Sequence, residues 1–449
     1  MAEHRRGANL PSIGGFNRTV VLDAVRRSPD GLSRVELAGR TGLSAQTVSN
    51  VTRFLIEAGM IVESGTIVSG RGKPRTILRL EAGSRFAVGV HVDPAVVTYV
   101  LLDLAGTVVA STTTSTPTAD DPDQVIRTMA SAIHDLVATA EVDSDAVLGV
   151  GIASPGPIDV EAGIVVDPPF LPRWRDVPLR DAIAEATGHP VLLEKDVTAA
   201  AVGEMFLAGE SSARNFAFVY FGTGFGVGLV VDHEPVRGTG ANAGDAGHIM
   251  VEQGALAGTP DGVSDRGEVG AAVAPARLVR LAEARGLHLR AGDAEPGDAA
   301  GADPGDAAGA DPGNAADAEP GDAAGADPGD AADVDRAWDA LGAAIEAGDP
   351  TALELAADAG TVMGRAAVVI VNLLDIDRVV FGGPFWSRIA AAALPAAREA
   401  ITASPILVPK HPVTVVESDR GADVAAVGAA CLVLDAALSP RASALLIRR

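Results

Sequence analysis

Apolar positions along this chain recur with two different periods, and the change from one to the other near Gly83 marks a domain boundary. Before it, apolar residues return every three or four positions in three short stretches, which predicts three helices. The first covers Asn17 to Val25. The second opens at Ser33, whose hydroxyl can accept from a freed backbone N–H while Glu36 reaches back to the cap, and it stops at "TGL". The third opens at Ser44, runs through "AQTVSNVTRFLIEAG" and closes at Gly59, with Val48, Val51 and Leu55 on its inward face. Two strands follow, "MIVESG" and "RTILRL", joined by "TIVSGRGKP". Three helices and a basic β-ribbon in this order predict a winged helix-turn-helix over residues 1–82.

Beyond Gly83 the pattern becomes β-branched runs alternating with helical ones, which predicts an α/β domain over residues 83–449. Two hairpins stand out. "FAVGVHVDPAVVTYVLLDLAG" turns on "DPAV", whereas "FVYFGTGFGVGLVVD" turns on a glycine run. From Ala291 to Asp335 the chain instead cycles through "GDAAGADP", without an aromatic residue or a positive charge and with Val334 as its one β-branched residue. Such a stretch cannot bury enough apolar surface to offset its ordering entropy, so residues 291–335 are expected to form a disordered acidic insert at the surface of that domain.

Charge sharpens this division. The chain of 449 residues has a formal net charge of −24, but residues 1–85 carry 13 Lys and Arg against 7 Asp and Glu, a net of +6. Only the first segment is therefore suited to a polyanion, and a double-stranded DNA operator is the expected partner. Gln46, Thr47, Ser49, Asn50 and Arg53 form the polar face of the third helix, of the kind a major groove accepts. Arg71, Lys73 and Arg75 sit on the Gly/Pro-stiffened wing, where they can reach phosphates or a minor groove, and Arg34 is counted with the DNA-contacting group. The single cysteine, Cys431, excludes an intrachain disulfide and a thiolate metal cage. Neither a metal nor a cofactor is expected. The absence of a hydrophobic signal region in "MAEHRRGANLPSIGG" and of a long uninterrupted apolar run leads to the expectation of a soluble, cytoplasmic protein with no membrane contact.

The ordered motifs "PVLLEKDVTAAAVGE", "FGTGFGVG", "NAGDAGHIMVE", "VVFGGP" and "GADVAAVGAACLVLD", together with the wing "SGRGKP", resemble the ROK family of bacterial repressors and sugar kinases. The resemblance implies a two-lobed actin-like ATPase (ribonuclease H-like) fold with a sugar site in the cleft and a homodimer or homotetramer. For members with such an N-terminal domain it implies regulation of carbohydrate genes.

Carried over residue by residue, the resemblance is uneven. Kinases of the family show D-x-G-x-T at the first hairpin; here the turn is Asp93, Pro94, Ala95, Val96, Val97, and Pro94 removes a backbone donor. Gly222, Thr223, Gly224 and Gly226 keep the second phosphate loop, a working cradle or a glycine turn that only packs two strands. The family's Asn-Asp pair, which binds sugar and supplies the base, appears as Lys195-Asp196. Asp196 can be read as a vestigial general base or as an N-cap of the following helix, and a buried Lys195 beside it would lower its basicity. The E-x-G-H motif appears as Asp245, Ala246, Gly247, His248, with His248 either an effector ligand or a structural residue. "DGVSDRGEVG" lacks the family's zinc cysteines, Gly270 falls where its last sugar-binding glutamate would stand, and Phe170 replaces an asparagine. The expected function is a DNA-binding regulator, a repressor whose cleft senses a sugar or sugar phosphate through Lys195, Asp196, Asp245 and His248 without phosphotransfer. The alternative is an active sugar kinase with an attached DNA reader.

Overall fold

Side-chain capping sets the helix boundaries of the first domain where the polar residues predicted them. The computed structural model describes residues 10–67, 74–116, 122–168, 171, 174–208, 213–257, 267–289 and 328–438. Helix α1 spans Leu10–Arg26, longer at its start than the periodicity indicated, and the short strand β1 is Leu32–Ser33. Ser33 caps α2 (Arg34–Thr41) through the reciprocal box with Glu36, and Gly42 ends it in a left-handed conformation at φ 69°. Ser44 accepts from the Thr47 N–H to open α3 (Ala45–Glu57), on which Val48, Val51 and Leu55 are buried. Strands β2 (Ile61–Ile67) and β3 (Arg75–Leu80) complete a three-stranded sheet in the order β1-β3-β2. This is a winged helix. Arg71 and Lys73 lie outside the described residues.

The second domain uses one strand plan twice. In the first lobe β4 (Phe86–Val92), β5 (Val96–Asp103) and β6 (Val108–Ser115) form an antiparallel meander. Helix α4 (Pro122–Thr139) leads to β7 (Val147–Ser154), a small ribbon of β8 (Ile158–Asp159) and β9 (Ile164–Val165), and then α5 (Leu179–Thr187). Strand β10 (Val191–Lys195) runs into α6 (Asp196–Leu207). The sheet order is β10-β7-β4-β5-β6, with β10, β7 and β4 parallel. In the second lobe β11 (Phe216–Phe221), β12 (Phe225–Val231) and β13 (Glu234–Pro235) repeat the meander. Helices α7 (Val269–Ala272), α8 (Pro275–Ala284), α9 (Pro328–Glu346) and α10 (Pro350–Leu374) come next. Strand β14 (Arg378–Gly382), α11 (Trp386–Thr402), β15 (Thr414–Glu417) and α12 (Val424–Leu438) are the last described elements, giving the order β13-β12-β11-β14-β15.

Residues 328–335, expected to end the acidic insert, are instead the first turns of α9. Asp335 there accepts from Arg388 of α11 at 2.7 Å, and the following Trp338 is buried between Phe221 and Phe385. The rest of the 291–335 stretch, like Phe170, lies outside the described residues.

The closing helix of each lobe crosses to the other lobe. Helix α12 lies on the first lobe's sheet, where a Cβ on Gly151 of β7 would come within 1.9 Å of the Ala429 carbonyl oxygen. Helix α6 lies on the second lobe's sheet, where a Cβ on Gly228 of β12 would meet the Val197 oxygen at 2.1 Å. The two helices cross backbone to backbone, because a Cβ on Gly428 would stand 2.0 Å from the Ala199 oxygen and one on Gly203 2.9 Å from the Gly428 Cα. Both α10 and the segment Gly421–Leu438 are long and apolar enough to cross a membrane, and most of the apolar stretch of each is buried in this fold, which accounts for their composition. Overpacking so tight a crossing strains both helices. Gly428→Ala is expected to cost about 3 kcal/mol or more. Gly188→Ala, at a helix end where a Cβ would have nothing within 4 Å and only the positive φ is paid for, is expected to cost about 1 kcal/mol. Urea unfolding of both variants checks the difference.

Candidate functional site

Two regions concentrate polar groups that the core does not use. On the winged helix, Gln46, Asn50 and Arg53 are exposed along α3, with Thr47 and Ser49 half-buried beside them. The Gln46 amide donates to Asn50 Oδ1 at 3.1 Å, which orients both side chains outward as a pair. Arg75 is exposed at the start of β3. Arg34 has a different position. Its guanidinium donates to Thr52 Oγ1 at 3.2 Å and to Glu63 Oε1 at 2.9 Å, so it ties α2 to α3 and the wing strand. The structure also adds Arg18, stacked 3.8 Å from the centroid of the partly exposed Phe54 ring, which the sequence reading passed over.

The second region is the cleft between the lobes, lined by Asp93, Lys195, Asp196, Tyr220, Thr223, Gly224, Gly226 and Asp245 among others. Its floor is set by the crossing helices: β10 delivers Lys195 as the N-cap of α6 and Asp196 as its first residue, one position later than an N-cap. Asp196 Oδ1 accepts the Val197 N–H at 2.7 Å. Burial pushes its carboxyl up to about 6 against the opposing pull of that bond and of Lys195. The expected loss of basicity is therefore reversed, because desolvation outweighs the neighbouring ammonium. Lys195 is buried and donates to the Asn242 carbonyl at 3.3 Å across the cleft.

Asp93 behaves similarly, raised to about 6 by burial, with Asp196 and Asp335 adding to the rise. Its own turn consumes its donors. The Ala95 N–H donates to Asp93 Oδ1 at 3.1 Å, the Asp93 N–H to the Val96 carbonyl at 3.1 Å, and Pro94 has none. Val97 pairs in the ladder with Val92. In the glycine turn opposite, the Gly222 N–H is bonded to the Gly224 carbonyl at 3.1 Å, and Gly226 Cα packs where a Cβ would meet Val197 at 2.5 Å, so close packing accounts for that glycine.

His248 is absent from the cleft lining. Its side chain is 76% exposed and its Nδ1 lies 3.3 Å from Glu268, not Gly270, which packs instead on Gly247. Glu268 was missed because its place opposite His248 depends on the Met250–Glu268 bridge, a pairing across a loop. The residues do not fit the zinc that the resemblance suggests for many members: the 259–270 stretch has no cysteine, and no group of three His, Cys, Asp or Glu converges among the described residues. Sequence reasoning also missed Tyr220 and His91, whose Nε2 lies 3.5 Å from the Tyr220 hydroxyl across the lobes, and Asn242. The Asn242 amide takes both backbone groups of Ile158, accepting at 2.8 Å and donating at 2.7 Å, while Arg237 donates to the buried Glu194 at 2.6 Å. Together these bonds stitch the loop after β13 to the first lobe.

A carboxyl raised in the folded state favours folding while it is protonated and loses that contribution as pH rises from about 4 through 6. Asp196→Asn removes the ionisation and keeps the acceptor for Val197. It should stabilise the protein at pH 7.5 by about 1–3 kcal/mol and bring no gain near pH 4. Urea titrations at the two pH values test this.

Residues 87–272 match the ROK family. The xylose repressor of Bacillus subtilis is 27% identical over 246 residues, which cover 55% of this chain and 63% of that protein. A glucokinase of Thermotoga maritima is 32% identical over 165 residues, 37% of this chain and 50% of the enzyme. The first curated relatives are matched over 54% to 63% of their own length. A crystal structure of a ROK family transcriptional regulator, a homologue of the E. coli Mlc protein, superposes with a TM-score of 0.67 at 21% identity, covering 95% of this chain and 98% of that one. That likeness is one of fold, and it extends over the winged helix and both lobes. The sequence match over residues 87–272 and the doubled lobe plan agree in their likeness to the ROK family.

Proposed function

We propose that this chain is a DNA-binding transcriptional regulator, a repressor of carbohydrate-utilisation genes, whose cleft senses a sugar or sugar derivative and does not transfer phosphate. The observation that carries this reading is the turn at Asp93: the N–H groups of Asp93 and Ala95 are bonded within the turn, and Pro94 contributes none. Phosphoryl transfer depends on fixed donors around the transferred group, and half of such a cradle is closed here. The relatives named as repressors support the regulatory half of the reading. One observation favours the alternative of an active kinase. Asp196 is raised to about 6, a suitable range for a general base. Its retention fits a carboxylate kept to bind a sugar hydroxyl. The winged helices of a dimer or tetramer would sit on successive half-sites of a duplex in the cytoplasm, with cleft occupancy altering their spacing.

Incubation of the full chain with ATP and D-xylose, D-glucose or N-acetylglucosamine should release no ADP above the sugar-free background; sugar-dependent release abolished by Asp196→Ala would establish the kinase instead. On a duplex selected from a random pool, Asn50→Ala should change which bases are preferred. Arg71→Ala should weaken binding to all duplexes alike and reduce the salt slope by about one. An unchanged slope would remove the wing from the phosphate contacts.

A further inference from the structure

The winged helix is not joined to the ROK domain by its linker alone. Near the end of α1, Arg26 points into the body and is almost wholly buried, its side chain 5% exposed. Its Nη1 donates to the Phe206 carbonyl at 3.0 Å, and its guanidinium carbon stands 3.8 Å from the centroid of the Phe206 ring. Asp23, one turn back on α1, holds the other arm at 2.7 Å, while Nε has no partner. Phe206 lies in the last turn of α6, where carbonyls have no intrahelical acceptor role left and the helix dipole favours a cation. The opposite end of the same helix begins at Asp196 in the cleft. One continuous apolar cluster includes Val21, Leu22 and Val25 of α1, Phe206 of α6 and Leu434 of α12.

We propose that Arg26 is the coupling residue of this protein: its grip on the last turn of α6 transmits the position of that helix, which the cleft ligand sets at Asp196, to the DNA-reading module. The proposal rests on the regulatory reading above. Twelve residues of helix span about 18 Å, and over that distance α6 can act as a strut because its middle is clamped at Gly203 against Gly428 of α12, with no side chain between the backbones to absorb a shift. A displacement at the cleft end must rotate or translate the helix as a unit. The contact at the far end is suited to register it, since a carbonyl-directed, ring-stacked guanidinium has a narrow geometry that an ammonium cannot reproduce. A second tie between the domains, Arg85 donating to the Ala58 carbonyl at 3.4 Å, attaches the module to the linker before β4 and does not touch α6.

The difference between these two ties makes the test. Full-length wild type, Arg26→Ala, Arg26→Lys and Arg85→Ala are compared by amide hydrogen exchange, after circular dichroism and melting confirm that each is folded. In Arg26→Ala, exchange should accelerate at least about threefold both in residues 200–207 and in residues 196–199 at the cleft. Arg26→Lys should show the same pattern, and Arg85→Ala should leave 196–199 unchanged. Acceleration confined to α1 and the last turn of α6, or equal effects of Arg26→Ala and Arg85→Ala at the cleft, would reduce Arg26 to a domain adhesive and overturn the proposal. On the selected duplex, titration with D-xylose and D-glucose provides the functional arm. Release of wild type but not of Arg26→Ala, with sugar affinity retained, is expected; equal release of both overturns the proposal. If neither sugar binds wild type, the sensing reading loses its support and the exchange pattern still decides the role of Arg26.

Discussion

The close crossing of α6 and α12 is the constraint on which the rest of this structure depends. Each helix ends one lobe and packs on the sheet of the other, so the lobes are held by exchanged helices rather than by a thin linker. The contact at Gly203 and Gly428 brings main chain against main chain, and such an interface slides or turns only as a whole. It also fixes where chemistry can occur. The N-terminus of α6 must open into the space between the lobes, carrying Lys195 and Asp196, and its C-terminus must emerge on the side where the winged helix docks.

Within the cleft Asp196 and the first turn differ in their polar groups for different physical reasons. Asp196 keeps a raised carboxyl because its environment comes from burial, which persists while the crossing persists. The first turn has no free amide at Asp93 or Ala95 because its own sequence satisfies them: Asp93 Oδ1 accepts the Ala95 N–H, and the Asp93 N–H donates to the Val96 carbonyl. Binding of a polyhydroxyl ligand needs the former and not the latter. The cleft therefore carries carboxylates but no open row of amides at its first turn, and Asn242 and Arg237 pin the loop at its boundary.

How much of this was legible in the sequence depends on the range of the interaction. The capping box at Ser33, the cap at Ser44 and the turn at Gly42 were readable because donor and acceptor lie within three or four residues. The strands, both hairpins and the odd turn at Asp93 were readable from alternation and from Pro94. The position of Glu268 beside His248, the Asn242 clamp and the His91–Tyr220 contact were not, since each joins residues that only the tertiary fold brings together. Lys195 does lower Asp196 as its charge implied, but burial outweighs it, because a charge is visible in a sequence and a desolvated floor is not. Arg34 was read as a groove contact and Arg26 was given no role, yet the structure engages both in contacts within the protein. The start of α9 was hidden inside acidic repeats whose composition resembles the preceding stretch, although Trp338 just beyond it anchors the helix in the aromatic cluster.

The size of the Arg26 contact sets the size of the regulation it can carry. A charge-assisted hydrogen bond is worth roughly 1.5–3 kcal/mol, and a desolvated guanidinium on an aromatic ring adds up to about 2 kcal/mol. Only the part that differs between two positions of α6 counts toward coupling, since a contact kept equally in both shifts nothing. Loss of the carbonyl bond with the stacking retained makes a difference of about 2 kcal/mol between the two positions, or roughly a 30-fold change in operator affinity, within the range in which coupling between two sites is usually found. A larger effect would need the apolar seam between α1 and α12 to part as well. The buried Val21, Leu22 and Val25 oppose that, and so keep the module docked while its orientation responds.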